Sequence, residues 1–283
     1  ALGKWVGGLW VLRHSGRCGT QRNGLARRVG SSVVRADSLA GGEPVDVVIL
    51  AGGSFPPGSL YAHRWELPVH GHTLFDQAYA AGIELGRVIC VGGPPDRQTV
   101  APGTSFLASL SAGLAQVETE TFLLLTADMP DVTAEGLRNW LAACPDADVC
   151  YPIVRMEACE ARYPGLRRTA LPLREGKFTG GNVALLRTAA FRNALPVLEC
   201  AYALRKSPLR LAGMVGFGTL FRVALARIAP KTLPVAELEN RVGRFLGLTI
   251  RAVISDDAAL GTDIDSMEQY EAWQRVTAQN TQN

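Results

Sequence analysis

The chain has 283 residues, of which 47% are hydrophobic and 19% are charged, a balance typical of a folded protein with a sizeable core. No apolar stretch reaches the roughly 18 residues that a membrane-spanning helix needs, so we expect no membrane partner. The formal net charge is +3, but seven basic and two acidic residues lie within 1–44. The rest of the chain is therefore mildly acidic and predicts no nucleic-acid partner.

The six cysteines form no CxxC pair and have no neighbouring histidine, which argues against a zinc site. Cys90 and Cys150 lie in apolar runs, where a buried free thiol is the expected state. Free thiols indicate a reducing compartment, and we therefore predict a cytoplasmic location.

Residues 1–44 show no apolar period and are rich in Gly, Arg and Ser. We interpret them as a disordered or non-native extension that is dispensable for folding. An Arg-rich, acid-poor leader also resembles an organelle transit peptide, and this remains the alternative. Residues 45–283 are expected to form the functional domain.

From Asp46 onward, short apolar strands alternate with amphipathic helices. The strands are VDVVILAGG, RVICVGG, TFLLLTADMP and ADVCYPIV, and the helices are HTLFDQAYAAGIELG, GTSFLASLSAGLAQVET and TAEGLRNWLAAC. This order predicts an α/β domain with a mostly parallel sheet, right-handed crossovers and helices on both faces. Ligands bind such sheets at the carboxyl ends of the strands, so AGGS, VGGPP and TADMP should lie along one rim.

The second half of the domain is less regular. A polar stretch covers 155–177, and FTGGNVALLR then predicts one further strand. Residues 188–247 have a mostly helical pattern, after which LTIRAVISD predicts the last strand and GTDIDSMEQYEAWQRVTAQ the last helix. We therefore predict a helical insertion at about 188–247, before the final strand and helix of the domain.

The first strand ends in Gly52 and Gly53, but the loop has neither the GxGxxG pattern nor the Gly-Lys-Ser/Thr ending of a Walker A loop. A glycine turn at this position can let backbone N–H groups face a base or a phosphate. It can equally be a tight turn that binds nothing.

Asp128 lies where a buried strand emerges, and a carboxylate there must be solvated, paired or metal-bound. Mg²⁺ prefers oxygen ligands, commonly one or two carboxylates together with substrate phosphates. Asp128 could instead cap the next helix, although Asp131 and Thr133 lie nearer to its start.

Asp263 and Asp265 precede the last helix. Alternate side chains of an extended stretch share one face, so both carboxylates could point the same way. Ser266 and Gln269 fit a capping box, which explains the serine but not the aspartates.

Four stretches, in this order, carry a resemblance: VVILAGG, LPVHGHTLFDQ, LLLTADMP and DIDSMEQYEAW. They resemble the nucleotidyltransferases, a group that includes molybdenum-cofactor guanylyltransferase and sugar-phosphate nucleotidylyltransferases, and above all the MobA-like NTP transferases. The likeness spans roughly 46–190 and 248–275. It implies a three-layer, Rossmann-like fold of the GT-A type.

The resemblance also implies roles for individual residues. It implies Mg²⁺ as cofactor, with Asp128 and Asp265 as ligands and Asp128 and Arg64 as catalytic residues. The implied nucleotide-binding residues are Leu50, Ala51, Gly52, Gly53, Gly103 and Ser105, and the implied acceptor-binding residues are Gly180, Gly181 and Asn182. Basic residues outside the core pattern either are solvated or hold the anionic acceptor: Arg167, Arg168, Arg205 and Lys206, of which we select Arg168.

The nucleotide loop departs from the family pattern. GGSFPPGSLYAHRWELPV lacks the usual first arginine and has Arg64 near the position of the usual lysine. Either side chain can neutralise a triphosphate. His63 lies in the same loop, whereas His70 and His72 are interpreted as surface-turn residues.

The expected reaction is in-line attack of an acceptor oxygen on the α-phosphorus of an NTP, with release of pyrophosphate. A GT-A-type glycosyltransferase is one alternative. It would carry an Asp-x-Asp motif, whereas TADMPD separates Asp128 and Asp131 by three positions. A degenerate nucleotide-binding protein without turnover is the other alternative, because the loop arginine is missing.

Overall fold

The computed structural model describes residues 45–203 and 233–282. The predicted extension 1–44, the middle of the predicted insertion, and the candidate residues Arg205 and Lys206 lie outside the described residues. No helix within the described ranges combines the length and apolarity needed to cross a membrane.

The described residues form an α/β arrangement. The strands are β1 Val45–Ala51, β2 Pro68–Val69, β3 His72–Thr73, β4 Gly86–Gly92, β5 Thr121–Thr126, β6 Val149–Arg155, β7 Leu171–Leu173, β8 Gly176–Gly180, β9 Val183–Arg187 and β10 Ile250–Ser255. The helices are α1 Leu74–Ile83, α2 Phe106–Leu114, α3 Ala134–Ala142, α4 Met156–Arg162, α5 Thr188–Ala203, α6 Val235–Leu246 and α7 Met267–Gln282, and two 3₁₀ turns cover Arg64–Glu66 and Ala258–Gly261.

One large sheet forms the centre of the fold. Its strands follow the order β4-β1-β5-β9-β6-β8-β7, and β10 pairs with β6. The β1–β4, β1–β5 and β6–β10 pairs are parallel, whereas β9 runs antiparallel to both β5 and β6. The predicted Rossmann-like fold with a mostly parallel sheet is confirmed.

Helices cover both faces of the sheet because successive strand residues point to opposite sides. In β1, Val47 and Ile49 belong to the core beneath α1, α3 and α7, whereas Val48 and Leu50 belong to the core beneath α2 and α5. The continuous apolar run of β1 is therefore what a strand buried on both faces requires. The result is three layers.

The stretch FTGGNVALLR, predicted as one strand, consists of two. In β6, Cys150 pairs with Leu185 and Ile153 pairs with Gly180, so two residues of β6 face four residues of the other chain segment. The two extra residues form a bulge that separates β8 from β9. Both strands run antiparallel to β6, which an apolar pattern alone does not reveal.

Side-chain caps fix the starts of three helices. Thr73, Ser105 and Thr133 each accept a hydrogen bond from the backbone three residues later, at α1, α2 and α3. Thr133 is thus the cap of α3, one of the two candidates for that position.

The two described ends of the predicted insertion are helical. They are α5 and α6, and both pack into the core beneath α2, to which Phe191 and Leu198 of α5 and Val235 and Leu238 of α6 contribute. That residues 188–247 form an insertion in a domain spanning 45–283 remains a prediction.

A buried ion pair holds the amino end of β1, opposite to the rim. Asp46 is 2% exposed and accepts hydrogen bonds from Arg87 Nε at 2.8 Å and Nη2 at 2.9 Å. The backbone N–H groups of Glu118 and Thr119 also donate to it. Burial alone would raise the pKa of Asp46, but these hydrogen bonds outweigh it and lower the pKa to about 2.

Candidate active site

A cavity of about 670 Å³ opens at the carboxyl ends of β1, β4 and β5. Ala51 pairs with Gly92, and the backbone N–H of Ala127 donates to the carbonyl of Leu50, so the three strands end at the same level. The expectation that AGGS, VGGPP and TADMP share one rim is confirmed. The cavity is lined by all six residues predicted to bind nucleotide, and by Arg64 and Asp128.

Different features of the structure explain the two glycines of the turn. Gly53 has φ 97°, and an added Cβ would overlap the guanidinium group of Arg64, whose Cζ would lie 2.6 Å away. At Gly52, an added Cβ would meet no described atom within 4 Å beyond the adjacent residues. The positive φ therefore favours glycine at position 53, where alanine would also displace the Arg64 guanidinium, whereas the space beside Gly52 belongs to the cavity.

The loop after Gly53 folds back on itself. Ser54 and His63 form an isolated antiparallel bridge, and the N–H of Arg64 donates to the carbonyl of Gly53 at 3.1 Å. The ring of His63 stacks on Trp65 at 5.5 Å, and both residues line the cavity. The loop thus delivers Arg64 to the end of β1.

Three carboxylates meet at one side of the cavity. Asp128, Asp263 and Asp265 each offer an oxygen, and these oxygens lie within 4.8 Å of one another. The N–H of Ile264 donates to the carbonyl of Asp128 at 2.9 Å, which holds the two segments together. We call these three residues the acid cluster. Only the spacing of Asp263 from Asp265 marks it as a candidate in the sequence, and the resemblance does not select it.

The electrostatics of the acid cluster favour a cation. Burial, together with the negative charges of Asp128 and Asp265, raises the pKa of Asp263. Arg64 Nη1 lies 3.4 Å from Asp128 Oδ2 and also contacts Asp265 Oδ1. Oxygen donors of this kind suit Mg²⁺. The acid cluster could therefore hold a divalent metal ion.

A local motif orients Asp265. The N–H of Gln269 donates to Ser266 Oγ at 3.3 Å, while Gln269 Oε1 accepts from the N–H of Asp265 at 2.9 Å. In a capping box the side chain of Gln269 would accept from the N–H of the cap residue Ser266, but here it accepts from the N–H of the preceding residue, Asp265. This shift by one residue lets the helix cap also hold the backbone of Asp265.

Asp131 has a different environment from Asp128. It is buried, and its Oδ2 accepts hydrogen bonds from Tyr163 Oη at 2.6 Å and Trp273 Nε1 at 2.8 Å. His70 Nε2 lies 2.7 Å from its Oδ1. The expectation that His70 is simply a surface-turn residue is incomplete, since its ring is half-exposed but engaged with Asp131. The other histidine, His72, contacts Gln77.

The predicted acceptor residues lie outside the lining of the cavity. Gly180 ends β8, Gly181 and Asn182 form the bulge between β8 and β9, and the N–H of Asn182 donates to the carbonyl of Leu260 at 2.9 Å. Tyr151 Oη donates to the carbonyl of Gly181 at 2.6 Å. An added Cβ at Gly180 would lie 2.5 Å from the same hydroxyl oxygen, so close packing is sufficient to explain this glycine.

Arg168 contacts the segment 260–265, which carries Asp263 and Asp265 and which we call the acid-bearing segment. Its Nη2 donates to Thr262 Oγ1 at 2.6 Å, and its guanidinium lies over the ring of Tyr163 at 5.2 Å. Thr262 immediately precedes Asp263. Burial, together with the charge of Asp263, raises the pKa of Tyr151. Arg168 and the bulge therefore contact residues 260–262, directly before Asp263, and lie outside the lining of the cavity. Arg167 is exposed.

The geometry defines an α/β protein with a nucleotide-sized cavity that ends at a group of carboxylates. Comparison with known proteins identifies the family. The family model described as the MobA-like NTP transferase domain matches residues 47–209. A hypothetical transferase from Thermus thermophilus is 35% identical, with a TM-score of 0.71 over 80% of this chain and 99% of that chain.

Two further solved structures are more distant. A nucleotidyl transferase from Methanothermobacter thermautotroptrophicus is 16% identical, with a TM-score of 0.49 over 84% of this chain and 100% of that chain. The 2-C-methyl-D-erythritol 4-phosphate cytidylyltransferase from Thermus thermophilus is 18% identical, with a TM-score of 0.44 over 83% of this chain and 100% of that chain. No curated protein sequence gives a significant match.

The chain belongs to the MobA-like NTP transferase family. It is therefore a nucleotidyltransferase, as the order of its sequence motifs predicted. This assignment favours nucleotidyl transfer over the glycosyltransferase alternative. The engagement of Asp131 with Tyr163 and Trp273, rather than with the acid cluster, agrees with that choice.

Proposed function

We propose that the protein transfers a nucleoside monophosphate from an NTP to a phosphorylated small-molecule acceptor, releases pyrophosphate and depends on Mg²⁺. One observation carries this proposal. Asp128 lines the cavity and also belongs to the acid cluster. A nucleotide held in the cavity would therefore present its phosphates to these carboxylates.

The cavity has two ends with different chemistry. At one end lie Gly52, Gly53, Arg64 and Asp128, which combine a glycine turn with charge. Uncharged residues around Gly103 and Ser105, which follow β4, line the other end, because β1 lies between β4 and β5 in the sheet. We assign the phosphates to the charged end and the base to the uncharged end, because a triphosphate needs charge neutralisation and a base does not.

The reaction requires no covalent enzyme intermediate. An oxygen of the acceptor phosphate attacks the α-phosphorus and forms a new P–O bond, while the bond from the α-phosphorus to the α,β-bridging oxygen breaks. The electron pair of that bond leaves with pyrophosphate. Alignment of the two reactants and neutralisation of their charges account for catalysis in such a transfer.

Arg64 supplies permanent positive charge beside the phosphates. Its guanidinium offers a planar fork of donors and contacts Asp128 and Asp265. We assign it to the triphosphate, where it would take the place of the family's usual lysine. Asp128 and Asp265, with Asp263 beside them, would hold Mg²⁺, which when bound neutralises phosphate oxygens.

We assign the acceptor to the side occupied by Arg168, Gly180, Gly181 and Asn182. Arg168 and Asn182 contact the segment directly before Asp263, and all four residues lie outside the lining of the cavity. In-line attack requires the acceptor and the leaving pyrophosphate to lie on opposite sides of the α-phosphorus. The predicted insertion would help to form this side of the cleft. A cytoplasmic location suits an enzyme that uses NTPs and that carries buried free thiols.

The test begins with a ligand screen. The melting temperature of the full chain is measured with ATP, GTP, CTP or UTP and Mg²⁺, since a specific ligand stabilises by RT ln(1 + [L]/Kd). Pyrophosphate release is then measured with the stabilising NTP and a panel of phosphorylated acceptors. Asp128→Asn is the inactive control.

Three results separate the alternatives. Acceptor-dependent pyrophosphate release supports the proposal. Stabilisation by an NTP without release under any acceptor supports a degenerate nucleotide-binding protein. Cleavage of a UDP-sugar without any NTP supports a glycosyltransferase, and either of the last two results contradicts the proposal.

A further inference from the structure

The buried carboxylate of Asp131 connects the segments that bear the acid cluster. It lies in the turn that follows β5, three residues after Asp128. A buried ionised group is expensive unless it is paired or hydrogen-bonded, and Asp131 receives its partners from three remote parts of the chain. Such an arrangement needs a reason beyond capping α3, since Thr133 already does that.

The first connection runs through Trp273. Its indole N–H donates to Asp131 at 2.8 Å. Trp273 is fully packed and lies in the second turn of α7, the helix that follows Asp263 and Asp265 directly. The hydrogen bond therefore fixes α7 relative to the turn that carries Asp128.

The second connection runs through Tyr163. Its hydroxyl donates to Asp131 at 2.6 Å, and its ring lies under the guanidinium of Arg168. Arg168 in turn donates to Thr262 Oγ1 at 2.6 Å. The acid-bearing segment is thus linked to Asp131 on both sides, once before Asp263 and once after Asp265.

We propose that Asp131 is a positioning residue that holds the carboxylates of the acid cluster at metal-binding separation, acting through Trp273 on one side and through Tyr163 and Arg168 on the other. The inference rests on the metal site of the proposed function. It assigns to Asp131 the role of a group behind the ligands, whose loss typically weakens metal affinity about 10–100-fold. Asp131 itself touches neither the metal nor the substrate.

The experiment measures Mn²⁺ affinity of the full chain by electron paramagnetic resonance, without nucleotide. Asp131→Asn keeps the size of the side chain but replaces the carboxylate by a neutral amide, so the oxygen that Tyr163 and Trp273 share becomes a weaker acceptor. We expect its Kd for Mn²⁺ to rise about 10-fold, the lower end of the range for groups that bond a metal ligand directly. Tyr163→Phe removes one donor and leaves the carboxylate, and we expect a smaller rise. Asp128→Asn removes a proposed ligand, and its Kd for Mn²⁺ is the reference value for a lost metal site.

Asp46→Asn is the matched control. Asp46 is also a buried aspartate with several hydrogen bonds, but it lies at the opposite end of β1. Its substitution should lower the melting temperature and leave the Kd for Mn²⁺ unchanged. A general loss of stability would therefore lower the melting temperature of both variants. A loss of positioning would raise the Kd for Mn²⁺ only in Asp131→Asn.

The outcomes are distinct. A raised Kd in Asp131→Asn and Tyr163→Phe, with Asp46→Asn at the wild-type value, supports the inference. Wild-type Kd in both variants, with the site lost in Asp128→Asn, overturns the inference and leaves the metal site intact. No Mn²⁺ binding by the wild-type chain overturns both. If Asp131→Asn does not fold, Tyr163→Phe decides alone.

Discussion

The two adjacent glycines of the turn give opposite predictions for the same substitution. Gly52→Ala adds a methyl group where no described atom beyond the adjacent residues lies within 4 Å, at a residue without a positive φ. Replacing glycine by alanine at a compatible position stabilises by about 0.4–1 kcal/mol, because the unfolded chain loses freedom. We therefore expect Gly52→Ala to fold as well as the wild type.

The same methyl group would stand in the space that we assign to the phosphates. Holding a reacting group about 1 Å from its position lowers the rate on the order of 10²-fold, and we expect a loss of that size in pyrophosphate release. Gly53→Ala differs, because it combines strain at φ 97° with overlap of the Arg64 guanidinium. Such strain is worth on the order of 1–3 kcal/mol, so this variant should lose both stability and activity.

The assay measures melting temperature, NTP affinity and pyrophosphate release on both variants. Unchanged NTP affinity and unchanged turnover in Gly52→Ala would show that the glycine turn receives no nucleotide. A Gly53→Ala protein as stable as the wild type would contradict the packing of Arg64 on Gly53.

Three other side chains test separate parts of the molecule. Asp128→Asn should lower turnover on the order of 10²–10⁴-fold and change the melting temperature little, whereas a capping role would leave turnover intact. The lowered pKa of Asp46, about 2, stabilises the fold above its unfolded value near 4 by about 2 kcal/mol, which is lost as the pH falls from about 4 to about 2. Urea unfolding at about pH 6 and about pH 1.5, on either side of that window, should show this loss in the wild type and a smaller one in Asp46→Asn. Thr133→Ala should destabilise by about 1 kcal/mol with normal turnover, and a larger effect on turnover than on stability would contradict its role as a cap alone.

The rim could be predicted from the sequence because its determinants are local. The apolar run of β1 is read directly as a strand buried on both faces, and its end places Gly52 at the rim. The position of Asp128 at the rim is predicted in the same way, because it follows the apolar run of β5. The convergence of Asp128 and Asp265 depends on the resemblance, since nothing local relates residues so far apart.

The bulge and the partners of Asp131 could not be predicted in this way. FTGGNVALLR has one apolar pattern, but the extra residues at Gly181 and Asn182 become visible only against the register of β6. Tyr163 and Trp273 meet Asp131 through tertiary packing, and neither spacing nor composition marks that contact. In the sequence, Asp131 therefore cannot be distinguished from a residue that caps a helix.

The backbone hydrogen bond from Ile264 to Asp128 joins a strand end made early in synthesis to a segment made much later. A ribosome-bound chain that has emerged as far as β5 already has its cavity-forming strands, yet it has only one of the three carboxylates. The acid cluster cannot form before the segment carrying Asp263 and Asp265 has been synthesised and contacts the end of β5. Metal affinity would thus report the contact between these two distant segments, and a chain released before Asp263 would lack two of the three carboxylates of the acid cluster.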